Sequence, residues 1–298
     1  MRGTSVIHAE YPHLMWRLRG ANAAKPGSFK GAGPERLERT HGIGQSWCMR
    51  IFTVLLIVLS IIQTAPVRAD DPVSNAELLK SFDLIAFGNE YTGKRYDIVR
   101  KWAKPVLMGL QGKDYPPYLE TFIEDVARDL RETTGHQIEL YYSFSKQKQK
   151  RLEPNFDRNK VNVILYYLPD DEIPAAVAKY WKGDQERVRW MVANSTCFAN
   201  YFTKKGEIVA AVVVFPSRHP ESYHRACAVE EITQILGLPN DSDYVKNSIF
   251  NDTSRYFELT EHDRWLLRAL YQPEITPGMA RNDALRAALS FWQRARPQ

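Results

Sequence analysis

Residues 227–241 read CAVEEITQILGLPND. The apolar spacing predicts a helix over 221–236, stopped by Gly237 and Pro239. At 100° per residue, His224, Cys227, Glu230, Glu231 and Gln234 share one face, and Ala228, Val229, Ile232, Ile235 and Leu236 share the other. The second face is core. The first sets two adjacent carboxylates beside a carboxamide, and such a face is either simply solvated or the floor of a site. The surrounding chain has to decide.

Immediately upstream, STCFANYF, the turn TKKG and EIVAAVVVF spell a hairpin whose second arm is nearly all apolar, as a strand buried on both faces should be. Farther back, QIELYYSF (137–144) and VNVILYYLP (161–169) read as strands, with KQKQKR between them as a solvated loop. Segment 170–192 is helical around AAVAKYW, and YDIVRKWAKPVLMGLQG (96–112) reads as the first strand. The most regular element runs from Pro117 to Thr134. There Leu119, Phe122, Ile123, Val126, Ala127 and Leu130 fall on one stripe, prolines open the first turn and Gly135 follows the last. Downstream, LTEHDRWLLRALY (259–271) is a helix capped by Thr260, with His262 read as a surface residue of its first turn; ALRAALSFWQRA closes the chain. No internal repeat is visible. The order implies a single α+β domain, a mixed sheet backed by a long helix.

The chain has 298 residues and a pI near 9.0. Its basicity is not spread evenly. Residues 1–48 carry seven Lys/Arg against three Asp/Glu, and residues 49–69 add Arg50 and Arg68 with no acids. Residues 70–298 hold 31 basic and 32 acidic groups, which removes the electrostatic ground for a nucleic-acid partner. Met49-Arg50 is followed by IFTVLLIVLSII and then QTAPVRA, with Val67 and Ala69 at the −3 and −1 positions of a cleavage site. A charged start, a short apolar run and a small residue at the cut describe a secretory signal peptide. The run is short of the roughly 20 residues a membrane span needs, so no stable span is expected after cleavage. Residues 1–48 are expected to be a disordered, over-extended N-terminus, with Met49 rather than Met1 as the start. Residues 49–69 are the signal peptide and 70–298 the mature domain, periplasmic or secreted. Of the three cysteines, Cys48 precedes the signal, leaving Cys197 and Cys227 as an even pair in an exported chain. An oxidising compartment favours their disulfide, and closing a loop of about 30 residues contributes roughly 3–4 kcal/mol.

The helix resembles the metzincin zinc-protease pattern H-E-x-x-H-x-x-G-x-x-H, which stands here as Glu230-Glu231-x-x-Gln234-x-x-Gly237-x-x-Asn240. The general-base glutamate (Glu231) and the helix-ending Gly237 keep their identities, while Glu230, Gln234 and Asn240 occupy degenerate metal positions. SIF at 248–250 is similar to the Ser-Ile-Met of a Met-turn, with Phe250 for the methionine, and DRWLLRALYQP resembles the last helix of matrix-metalloprotease-like domains. The resemblance implies a zincin-like fold with a degenerate active-site helix and a C-terminal helix. In it STCFANYF is the edge strand above a cleft and the 221–236 helix its floor. A closer resemblance covers roughly residues 82–280. FGNEY…KW (87–102), CAVEEITQILGLPND, SIFND and LTEHD…LLRALYQPEITPGM are similar to DUF2927, a bacterial family of secreted proteins of unknown function. It implies export and carries no catalytic assignment.

Zinc prefers imidazole or thiolate, so one carboxylate and two amide oxygens make a poor zinc site. No resident metal or other cofactor is expected. Two weaker donor sets stay open: a weak Ca²⁺ site drawing on Asp241, Asp243 and Asp252, and a non-standard Zn²⁺ set of His224, Cys227 and Glu231 helped by His219. The zinc set needs a free Cys227 thiolate and competes with the disulfide. Without a Lewis acid, Glu231 has no polarised water to work on. The expectation is thus a pseudo-metalloprotease, a non-catalytic binding or structural component of the cell envelope. Its partner is left open between a peptide and an envelope protein. The alternative is a metal-dependent, peptidase-like hydrolase with Glu231 as general base.

Overall fold

The computed structural model describes residues 73–88, 95–112, 114–180, 185–251 and 256–296. The segments read as an over-extended N-terminus and a signal peptide lie outside them, as does Asp252. Among the described residues there are eight helices and six strands. In chain order the helices are α1 (Asn75–Phe87), α2 (Pro117–Thr134), α3 (Phe144–Lys148), α4 (Ile173–Val177), α5 (Gln185–Asn194), α6 (Glu221–Gln234), α7 (Glu261–Leu270) and α8 (Arg281–Ala295). The strands are β1 (Lys101–Trp102), β2 (Val106–Gln111), β3 (Ile138–Ser143), β4 (Val163–Leu168), β5 (Phe198–Lys204) and β6 (Glu207–Pro216).

The fold is α+β, with one mixed, mostly parallel sheet. β3, β2, β4 and β6 lie side by side and parallel, and β5 pairs antiparallel with β6 through the expected hairpin. β1 runs parallel to the start of β6, on the edge that β4 takes farther along, so β5 holds the opposite edge of β6. The expected first strand is therefore two strands. Ala103-Lys104-Pro105 breaks it, since a proline has no N–H for the ladder, and its halves pair at different places in the sheet. The KQKQKR segment is likewise not all loop, because Ser143 caps the short helix α3. The segment read as helical over 170–192 is two helices, α4 and α5.

Side-chain alternation along β6 separates two cores. Ala211, Val213 and Phe215 join a large cluster with residues of α1, α2, α6, α7 and α8, while Val212 and Val214 join a smaller one with α4 and α5. The strand is buried on both faces, as its unbroken apolar run requires. α2 packs on β3 and on α6, and α1 packs on α7 and α8. Pro117 opens α2 and Gly135 closes it at φ 68°, a left-handed conformation suited to glycine. The sequence reading assigned no helix to α1, yet Ser74 and Glu77 form a capping box that announces it.

Candidate functional site

α6 was expected to show a polar face to solvent or to a cleft. It shows neither. His224, Cys227, Glu231 and Gln234 are buried along with the apolar residues, and Glu231 and Gln234 are 0% exposed. Only Glu230 of the degenerate pattern is half-buried. Every other position of that face is already committed to a contact.

Cys227 is bonded to Cys197, the residue before β5, so the edge strand is stapled to α6. His224 is held at both ring nitrogens. Its Nε2–H donates to the Pro216 carbonyl (3.0 Å) and its Nδ1 accepts from the Tyr118 hydroxyl (2.8 Å). A carbonyl only accepts, which fixes the tautomer, and burial lowers the imidazole pKa. The non-standard zinc set of His224, Cys227 and Glu231 therefore loses its thiolate to the disulfide and its imidazole lone pair to Tyr118. Gln234 donates from Nε2 to Asp241 Oδ1 (3.0 Å). That bond draws Asp241 inward, while Asp243 is exposed. Among the described residues, no three His, Cys, Asp or Glu side chains converge as a metal site would need.

Asn240 has a different task. α1 ends at Phe87, and its last carbonyls need donors. Asn240 Nδ2 donates to Leu84 O (3.1 Å), its backbone N–H donates to Ile85 O (3.2 Å), Arg100 Nη2 donates to Ala86 O (2.7 Å) and the Tyr96 N–H donates to Phe87 O (2.9 Å). The position that would carry a third metal ligand thus caps α1. Gly88 is needed for this approach, because a Cβ there would lie 2.4 Å from Asn240 Nδ2. Gly237, at φ +115°, passes so close that a Cβ would lie 2.0 Å from Arg100 O. The end of α1 with Gly88, the segment 96–102 and ILGLPND are thereby one packed unit, completed by Trp102 Nε1 donating to Ile235 O (2.8 Å).

The SIF segment is fixed just as firmly. Asp263, 0% exposed on α7, accepts from Ser248 Oγ (2.5 Å), the Ile249 N–H (3.2 Å), the Thr260 N–H (2.9 Å) and Thr260 Oγ1 (2.7 Å). Burial pushes its carboxyl pKa up, opposed by these four bonds. One aspartate therefore both caps α7 and holds the SIF turn, with Phe250 buried beneath.

His262 is not a surface residue. It is 8% exposed, covered by α1 and α8, and burial lowers its pKa to about 4. The native state holds it neutral while the unfolded chain protonates near pH 6.5, so stability falls as pH drops from 6.5 toward 4. Urea titrations at pH 7 and pH 5 are expected to differ by about 2 kcal/mol from this group. The His262→Gln variant is expected to remove that difference, and an unchanged slope would refute the assignment.

Two concavities were not anticipated. In the smaller, about 250 Å³, Lys101 Nζ donates to Leu270 O and Ile275 O (both 2.8 Å), and burial lowers its pKa to about 8. Thr134 and Gly135, at the end of α2, line the same pocket, so this ammonium sits where two helix C-termini meet and has a structural role. The larger is a groove of about 1020 Å³ at the C-terminal ends of β2, β3 and β4, walled by α4. The run YYLPDDE (166–172) supplies much of it, a signal visible in the sequence only once the strand ends are known to converge.

A family model described as a protein of unknown function (DUF2927) matches residues 75–289. No curated protein and no solved structure matches the chain.

Proposed function

Because the chain belongs to the DUF2927 family, we propose that it is an exported, zincin-like protein without catalytic zinc, acting as a non-catalytic binding or structural component of the cell envelope. The observation that carries this reading is the fate of the degenerate metal positions. Glu231 and Gln234 are fully buried, Gln234 is tied to Asp241, and Asn240 caps α1. A general base must come within hydrogen-bond reach of the proton it abstracts, directly or through one water. A carboxylate enclosed on all sides offers no room for a peptide bond. The zincin-like part of the reading is supported by the antiparallel edge strand β5 beside β6, by the long helix α2 against the sheet, and by the SIF turn following α6. Export is supported by the signal-like segment 49–69 and by a disulfide of a kind that persists in oxidising compartments.

Elemental analysis with thiol counting on the purified protein tests this, together with a peptidase assay on an unstructured substrate. Metal far below one equivalent, no free thiol at Cys197 or Cys227, and no cleavage are expected. Stoichiometric zinc, with turnover abolished by Glu231→Gln, would establish the hydrolase instead.

A further inference from the structure

The groove at the strand ends has a definite chemistry. Its floor is aromatic and apolar, formed by Leu110, Tyr142, Tyr166 and Tyr167, with Ala175 and Ala176 of α4 on one side. Phe144 stands at the lip with 56% of its surface exposed, among the most exposed large apolar side chains described. The rim is acidic. Asp114 lies in the loop between β2 and α2, and Asp171 and Glu172 lie between β4 and α4. All three are exposed, and no ion pair or side-chain hydrogen bond engages them among the described residues. The described lining includes a single cation, Arg158, whose guanidinium lies over the Tyr142 ring at 5.4 Å from its centroid. The wall therefore already takes a guanidinium on an aromatic face, in a groove that these three carboxylates also line.

We propose that this groove binds an extended peptide segment carrying lysine or arginine side chains. Among the described lining residues, three carboxylates against one guanidinium disfavour anionic ligands and favour cations, and tyrosine faces add cation–π attraction. The volume, at the upper end of small-molecule pockets, suits several residues of a peptide better than a compact metabolite. The groove also stands where open sheets commonly bind ligands, outside the carboxyl ends of parallel strands. The inference names a ligand for the binding role proposed above and rests on it. It does not use α6.

Fluorescence anisotropy with three labelled peptides of equal length tests it: one alternating lysine or arginine with alanine, one with glutamate in place of the basic residues, and one with serine. The basic peptide is expected to bind saturably, and its Kd to rise about tenfold between 50 and 200 mM salt. The Asp114→Asn/Asp171→Asn/Glu172→Gln variant is expected to weaken binding by about tenfold. Because all three side chains are exposed, its thermal melt should match the parent. Phe144→Ala and Tyr142→Ala are each expected to weaken binding about threefold. Equal binding of all three peptides, undiminished binding by the triple variant, or no saturable binding would each overturn the assignment. Failure with metal-free, inactive protein discards the basic peptide and leaves the non-catalytic reading standing. Cleavage of any of the peptides in a Glu231-dependent way removes that reading, whatever the groove binds.

Discussion

The Asp263→Ala protein is expected to be about 4 kcal/mol less stable than the parent, with its melting temperature lowered by about 10 °C. The carboxylate is fully enclosed and answers four donors, two of them backbone N–H groups. Removing it deletes the capping box of α7, a loss of about 1 kcal/mol. It also takes away the acceptor of the buried Ser248 O–H and of the Ile249 N–H, at about 1–3 kcal/mol for each unmet donor. Asp263→Asn is a useful companion, since it keeps the volume while turning one acceptor into a donor facing other donors. It should recover little of the loss. Urea unfolding monitored by tryptophan fluorescence measures both, and a loss below about 1 kcal/mol for alanine would show that the SIF turn stands without its aspartate.

Loss of the Cys197–Cys227 bond comes next in size. The double variant Cys197→Ser/Cys227→Ser is expected to lose about 3 kcal/mol, mainly through the larger conformational freedom of an unfolded chain no longer closed over 30 residues. Reductant added to the parent should reproduce the same deficit. The native position adds a local consequence. Cys197 leads into β5, whose sheet pairing is to β6, so reduction is expected to raise amide exchange across 198–204 ahead of the rest of the sheet. Equal stability of the oxidised and reduced protein would mean that β5 is held by its hairpin alone.

Much of the fold could be read from local pattern. α2 announces itself through its stripe and its glycine stop, the β5–β6 hairpin through its turn, and α7 through Thr260. The cysteine pairing followed from parity and from the expectation of export. What escaped the sequence was long-range. The polar face of α6 carries the charge pattern of a wet surface, and only tertiary packing, with α6 set against α2, β5 and β6, leaves Glu231 and Gln234 buried. Asn240 reads as a replaced ligand until Leu84, 156 residues away, is found under its amide. His262 sits in a first helical turn, a place usually exposed, and is covered by helices from both ends of the domain. The groove could not be seen because the acids of its rim come from two loops, each unremarkable alone. α1 is different: Ser74 and Glu77 carry a local signal, a capping box set within a polar stretch.

The end of α1 has one more implication, for the order in which the domain is completed. Its last four carbonyls are met by Tyr96, Arg100 and Asn240 together with one local bond from Gly88. The first of the described helices does not have its full set of C-terminal donors until a segment some 150 residues later has been delivered. Local pairing alone therefore leaves this helix end short of donors, and the end closes only with the tertiary fold, as a late step of folding rather than an early one.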